Sequence, residues 1–584
     1  MKRWIIQRIP ADYNGLSQEF HLDPVVIRVL VNRGYDTAGK IREFLRADSD
    51  IFDESDGLPD LEKALDALKR FKEEGKKVRV IGDYDIDGVC ATTILLKAFR
   101  EYGIDADYVI PHRVLDGYGL NTNLIENARA DGIEGIVTCD NGISAYEAVE
   151  LANSYGMQVV VTDHHEVPER IPNAVAVVDP KREENTYPNV DICGAYVAYK
   201  VIAKLLWQDK TEEELSEREK KLKNELTMLA GFATVGDVMP LSGENRGLVK
   251  FTIAHLKEGL NPGMDALIDE TGLRDKTLSS FSIGFVLGPC INATGRLDSA
   301  DNALRLLTEE NPETVKELAK KLHTMNEERK EITTTGVEEA VNLVEAMEKL
   351  PSVLVLCLPN VHESIVGIIA GRIKELYYRP VIVFTETEDG NLKGSGRSIE
   401  GYDMFAKLSE CRDYFTKFGG HPMAAGISMK KENLDIVRDF LNAHADLSDE
   451  DLTPLVKIDA DMPFAYATEQ LIADLSALEP YGVKNEKPVF ARKDVTIVDG
   501  KLVGSNHDVG IYTVKEESSG DRTFKLKLFR GVSEFHSYLD ERYGAGTADG
   551  IYQKRPVTVK VAFYPDLNEF RGVTNVEFIM TDYQ

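Results

Sequence analysis

Cysteine is scarce in this chain and never paired. Cys90, Cys139, Cys193, Cys290, Cys357 and Cys411 stand singly, with no Cys-x-x-Cys spacing. That excludes a zinc ribbon or a disulfide-framed domain and points to reduced thiols in a cytoplasmic protein. Long apolar runs are missing as well. No stretch approaches the ~18 residues of a membrane span, so no membrane is expected among the partners. The opening MKRWIIQRIPADYNG interrupts its apolar residues with Gln7, Arg8 and Pro10, and no signal peptide is expected. Positive charge is the third shortage. Lys and Arg number 69 against 98 Asp and Glu, for a formal net charge of −29. This excludes a broadly basic nucleic-acid binder whose affinity comes from phosphate neutralisation. A local basic groove, or contact bridged by metal, stays open.

What is present fits a globular protein of several domains: 584 residues, 43% hydrophobic and 29% charged. Residues 1–75 read as a polar, helix-leaning segment, with helical apolar spacing in DPVVIRVLVNRG and DLEKALDALKRFKEEGKK. Short β-rich runs then alternate with helical stretches: KVRVIGD (77–83), DADYVIPH (105–112), EGIVTCD (134–140), MQVVVTDHH (157–165) and AVAVVDP (174–180). This βαβ rhythm predicts an α/β fold with a parallel sheet and helices on both faces, which binds ligands at the carboxyl ends of its strands. A helical region follows, with a charged, solvated helix face at 209–225 and a long connector helix over 301–350, bent near Thr333 to Gly336. A second, smaller α/β unit is expected over 351–450. From 451 to 584 short strands with turns predict a β-barrel or sandwich.

The stretch VRVIGDYDIDGVCATTILL carries Asp83, Asp85 and Asp87 at alternate positions. Were the strand to continue, all three would share one face and repel one another. Other ligand-type residues gather at strand ends: Asp140 in TCDNG; Asp163, His164 and His165 in VTDHHE; and Asp237 in TVGDVMPL. Any one Asp at a strand end is more often a helix cap, and a DNG triplet is more often a turn. Together, carboxylates and imidazole without thiolate suit Mn²⁺ or Mg²⁺. A pair of such ions lets the acids tolerate each other and is the usual device for cleaving phosphate esters. Asp179 in VVDP reads as a loop cap and stays outside the set.

In this order GDYDIDG, CDNG, TDHHE and GDVMPL resemble the DHH phosphoesterase superfamily, and GSGRS and FGGHPMAAG look like its associated substrate-binding domain. GPCINATGRLDSADNALRLL, VHESIVGIIAGRIKELYYRPVIV and LNEFRGVTNVEFIMTDY resemble the superfamily's bacterial single-strand-specific DNA exonucleases, whose C-terminal domain is an OB-fold. The resemblance runs from about Val78 to the C-terminus and implies a DHH catalytic domain over 76–300. It implies Asp85 and Asp140 around one metal, with Asp83 completing that shell. Asp87, Asp140, His164 and Asp237 surround a second, with Asp140 shared. His165 touches the scissile phosphate or moves a proton, and Asp163 orients a histidine from behind. For substrate, Arg397 between Ser395 and Ser398 offers a bidentate guanidinium, Gly419 and Gly420 an N–H nest with His421 alongside, and Arg296 a third contact. Two stretches depart from the family pattern: the linker GVKNEKPVF (482–490), and Cys290 where many relatives have a basic residue.

The implied activity is 5′-to-3′ hydrolysis of single-stranded DNA in repair and recombination, with a single-strand-binding protein or a helicase as partner. Two rivals are a DHH enzyme for short oligoribonucleotides or cyclic dinucleotides, and a non-catalytic DNA-binding scaffold.

Overall fold

The computed structural model describes residues 2–46, 55–113, 119–504, 507–570 and 572–584. The chain forms two compact units, residues 47–452 and a second made of 1–46 with 453–584.

The larger unit opens with five strands, Lys77–Ile81, Asp105–Val109, Gly135–Cys139, Gln158–Thr162 and Ala176–Val178. Every neighbouring pair is parallel. Parallel neighbours need crossovers, here helices Ile86–Tyr102, Thr122–Ala130 and Tyr146–Ser154. The apolar runs are continuous because both sheet faces are covered; Val80, Ile81, Val137, Cys139, Val160 and Val161 are all buried. In the sheet the second strand lies outside the first, and the third, fourth and fifth follow on the other side. The order reverses between the first and third strands, and the crevice at their carboxyl ends is where such sheets take ligands. Asp83, Asp85 and Asp87 follow the first strand, and Asp140 follows the third.

Helices Gly194–Trp207 and Glu217–Gly236 pack on Ile86–Tyr102. The charged run 209–225 opens the second of these, with Ser216 and Glu219 forming a reciprocal cap. The connector is one helix of 34 residues, Pro312–Glu345, unbroken through Thr333 to Gly336. At Gly336 it packs closely on the next helix, where a Cβ would lie 2.4 Å from Ile369. The second sheet runs in the order Phe415–His421, Ala424–Lys430, Asn391–Arg397, Val381–Glu386, Leu354–Cys357, parallel only in the last pair.

In the other unit, strands Phe490–Val503, Val509–Glu516, Phe524–Leu528, Val573–Tyr583 and Val557–Phe570 pair in succession, and the last pairs back to the first. This closes a five-stranded barrel of the OB type. Its core includes Phe464, whose ring centroid lies 4.7 Å from that of Phe563 and 4.5 Å from that of Phe578. The barrel expected for this region is present, and helices Glu469–Ser476, Val532–Tyr543 and Thr547–Tyr552 accompany its strands. The segment expected over 1–75 divides. Arg3–Ile6 pairs in parallel with Leu455–Ile458, and Val26, Ile27 and Leu30 join the barrel's core cluster. Helix Leu61–Glu73 instead packs on the parallel sheet. Among the described residues no helix is long and apolar enough to cross a membrane.

Leu30 is fully buried, so Leu30→Ala should destabilise the smaller unit by about 3 kcal/mol. Chemical denaturation followed by near-UV circular dichroism should register that loss, with the transition of residues 47–452 unmoved.

Candidate metal centre and phosphate grip

The first strand ends at Ile81, and the next helix starts at Ile86. The three acids therefore do not share a pleat, as the alternation suggested. Asp83 lies in the turn. Asp85 is the helix cap, its carboxylate accepting from the N–H groups of Asp87 at 2.9 Å and Gly88 at 3.2 Å. Asp87 sits in the first helical turn. The turn closes on Gly88, where a Cβ would lie 2.4 Å from the carbonyl oxygen of Asp83. Asp87 in turn accepts from the N–H groups of Gly194 at 2.6 Å and Ala195 at 2.8 Å. These head the helix Gly194–Trp207, whose unsatisfied donors and dipole favour an anion.

Asp140 ends the third strand with a left-handed φ of 60°, uncommon for a residue with a side chain. Asn141 locks that turn by donating to the carbonyls of Ile81 at 3.0 Å and Cys139 at 2.9 Å. His164 Nε2 then stands 3.1 Å from Asp140, 3.5 Å from Asp87 and 3.7 Å from Asp237. Asp163 belongs to none of the candidate ligand groups. It accepts from His165 Nδ1 at 2.7 Å and from the N–H groups of His164 at 2.8 Å and Ile143 at 2.8 Å, so the histidine it orients is His165. Three overlapping groups have donor atoms within 4.8 Å of one another: Asp83, Asp85 and Asp140; Asp87, His164 and Asp237; Asp140, His164 and His165.

Burial, and then the neighbouring anions, push the carboxyls of Asp83, Asp85, Asp140 and Asp237 upward. Burial also lowers His164. His165 runs the other way: burial lowers it, but the Asp163 hydrogen bond and charge prevail and lift it to about 9. Asp163 resists the upward push of burial through the same pair and ends below the usual value. The donor set fits a pair of hard dications. Asp83 Oδ1 is buried without a hydrogen-bond partner, and burial pushes the adjacent Cys139 thiol up to about 12, so no thiolate competes.

Arginines lie beside the acids. Arg296, in the last turn of helix Gly288–Leu297, donates to the carbonyl of Ser364 at 2.8 Å. Asn292 of that helix accepts from the Ile86 N–H at 2.8 Å, which ties it to the acidic turn. Arg397 donates to Ser395 Oγ at 2.8 Å and to the Gly396 carbonyl at 2.7 Å. Arg113 lies 4.7 Å over the ring of Tyr84. Burial and then Arg113 lower the affinity of Arg296 and Arg397 for their protons, Arg296 to about 10. The three guanidinium groups repel one another, Asp85 attracts Arg296, and Arg296 and Arg397 hydrogen-bond only to neutral oxygens among the described residues, which makes the three candidates for holding an anion. Ser398 is not part of it: its hydroxyl is buried and donates to the Tyr402 carbonyl at 2.6 Å. Gly419, Gly420 and His421 lie on the exposed edge strand, in register through Gly426, Ala425 and Ala424 with Ser395, Gly396 and Arg397. Two strand spacings, about 10 Å, separate His421 from Arg397. Arg113, Asn141 and the Gly194–Ala195 donors escaped the sequence reading. A basic residue just past the second strand was the one available sign, for Arg113.

Sequence profiles of known families match three regions: DHH family, N-terminal domain, over 77–234; DHHA1 domain over 350–445; and RecJ OB domain over 458–582. The single-stranded-DNA-specific exonuclease RecJ of Escherichia coli (strain K12) is 32% identical over 96% of this chain and 95% of its own length. That of Bacillus subtilis (strain 168) is 34% identical over 88% of this chain, which spans 65% of that relative. The crystal structure of RecJ in complex with Mn²⁺ from Thermus thermophilus has the same fold, with a TM-score of 0.82 at 24% identity, covering 100% of this chain and 79% of that one. A crystal structure of exonuclease RecJ bound to manganese matches at 28% identity and a TM-score of 0.58, covering 67% of this chain and 96% of that one.

A Cβ on Gly194 would lie 2.6 Å from that of Asp140. Gly194→Ala should therefore weaken Mn²⁺ binding by about 10–100-fold in isothermal titration; unchanged affinity would contradict this packing. The four raised carboxyls favour the fold while protonated, below about pH 4, and that contribution is lost as pH rises through their raised values. In chelator, Asp140→Asn should thus melt above the parent chain by a margin that widens with pH, and added Mn²⁺ should reverse the ranking.

Proposed function

The chain belongs to the RecJ family, and we propose that it is a metal-dependent exonuclease that hydrolyses phosphodiester bonds of single-stranded DNA from the 5′ end. The observation that carries this reading is the junction of the acid and histidine cluster with three arginines at one crevice, followed in the chain by an OB-type barrel. Asp83, Asp85 and Asp140 would hold one Mn²⁺ or Mg²⁺, and Asp87, Asp140, His164 and Asp237 the other. When bound, such ions neutralise charge on the phosphoryl group and acidify an attacking water.

The chain's own residues supply the rest. The N–H groups of Gly194 and Ala195 keep the Asp87 carboxylate aimed. His165, held cationic by Asp163, provides positive charge and a proton donor beside the scissile phosphate. Arg113, Arg296 and Arg397 grip the terminal phosphate, so the bond presented to the acids is one near a strand end, which makes the cleavage exonucleolytic. Ser395 steadies Arg397, and the exposed Gly419, Gly420 and His421 extend the grip along the backbone. A channel too narrow for a duplex explains single-strand selectivity. The OB barrel holds the strand by stacking and charge.

With a net charge of −29, affinity outside the crevice is weak and sensitive to salt. A single-strand-binding protein or a helicase that delivers the strand would offset that weakness. Six free thiols suit the reducing cytoplasm. The barrel over 458–582 speaks against a small-molecule phosphodiesterase, and the full set of ligand-type residues speaks against a scaffold.

Digestion of end-labelled oligonucleotides with Mn²⁺ tests the proposal. Single strands should be consumed from the 5′ end and blunt duplexes spared; equal rates on both would refute the channel. Asp85→Ala and Asp140→Ala should each cut the rate at least about a thousandfold while the far-UV circular dichroism stays the same.

A further inference from the structure

Ser364 lies in the loop between strand Leu354–Cys357 and helix Val366–Tyr377, in the region matched by the DHHA1 domain. Arg296 lies in the parallel-sheet lobe. Two reciprocal hydrogen bonds join them: Arg296 Nη1 donates to the Ser364 carbonyl at 2.8 Å, and Ser364 Oγ donates to the Arg296 carbonyl at 2.9 Å. Ser364 is only 6% exposed, so little water competes for either bond. The exposed His362 caps the pair, its Nδ1 standing 2.7 Å from Ser364 Oγ. A serine hydroxyl has one proton. Nδ1 also accepts from the Ser364 backbone N–H at 3.3 Å, so that one proton has two alternative acceptors, His362 Nδ1 and the Arg296 carbonyl.

We propose that Ser364 is a positioning residue for Arg296, holding its guanidinium in the phosphate grip from across the boundary between the two lobes. This rests on the reading of Arg113, Arg296 and Arg397 as a site for the terminal phosphate of a DNA strand. Arg296 needs such a tether. It is half-buried, its charge is repelled by Arg113, Arg329 and Arg397 and attracted by Asp85, and its guanidinium hydrogen-bonds only to a neutral carbonyl among the described residues, so that contact decides where its long side chain rests. The Ser364 carbonyl occupies one N–H and leaves the rest of the planar fork for phosphate. The hydroxyl bond to the Arg296 carbonyl pins the end of its helix at the same time. Neither contact touches the acid cluster.

The test is equilibrium binding of the full-length chain in EDTA to fluorescent oligothymidylates that differ only in a 5′-phosphate or a 5′-hydroxyl. The parent chain should favour the phosphate. Ser364→Ala keeps the carbonyl that meets the guanidinium but frees the helix end that carries Arg296, and should lose about tenfold in affinity for the phosphorylated strand and little for the hydroxylated one. Ser364→Thr, which restores the hydroxyl, should recover the preference. On an Arg296→Ala background, Ser364→Ala should add nothing, because the residue acts through Arg296. Survival of the preference in Ser364→Ala, an equal loss on both strands, or additive losses in the double variant would overturn the proposal. A parent chain without any preference would bring down the phosphate reading itself, and the role of Ser364 with it.

Discussion

Three carboxylates within 3.7 Å of one imidazole, with Asp83 and Asp85 beside them, are the constraint around which the larger unit is organised. Desolvation and mutual repulsion both oppose ionisation there, and the fold holds the acids together through backbone geometry. Asp85 caps the helix that carries Asp87. Asp87 is held by the start of Gly194–Trp207, and Asp140 is forced into a left-handed turn that Asn141 locks. Each device lies at the carboxyl end of a parallel strand or the amino end of a helix, where a doubly wound sheet leaves backbone groups unsatisfied. The strain in the site is therefore electrostatic, and a dication relieves it.

The arginines pose the opposite problem a short way along the same crevice. Arg113, Arg296 and Arg397 crowd like charge there, and Asp83 and Asp85 offset only part of it. In the proposed function the two clusters would meet one substrate: a strand end with one phosphate for the arginines and a reacting phosphate for the acids. Charge of each sign is thus sequestered where it is used, in a chain whose overall balance is strongly acidic.

Much of this was legible from residue order. The strand–helix alternation gave the parallel sheet, and acids at four strand or helix ends gave the cluster, because side-chain ligands leave a side-chain signature. What depended on backbone or tertiary contacts stayed hidden. Gly194 and Ala195 act through N–H groups that nearly every residue has. Arg113 stands alone after its strand, and residues 1–46 find their partners more than 400 positions away. The misreading of Ser398 had a local remedy. Strand Asn391–Arg397 alternates half-buried and buried, which leaves Ser395 and Arg397 on the open face and turns the next residue inward. The three acids do not alternate along one strand because it ends at Ile81 and helix Ile86–Tyr102 begins after a turn of residues 82–85.

Anomalous scattering at the manganese edge, from crystals grown at saturating Mn²⁺, would address the metal centre without relying on any activity. Two peaks about 4 Å apart, sharing Asp140 and flanked by Asp85 on one side and His164 on the other, are the predicted result. An empty crevice, or ions bound only at surface acids away from Asp140, would contradict it.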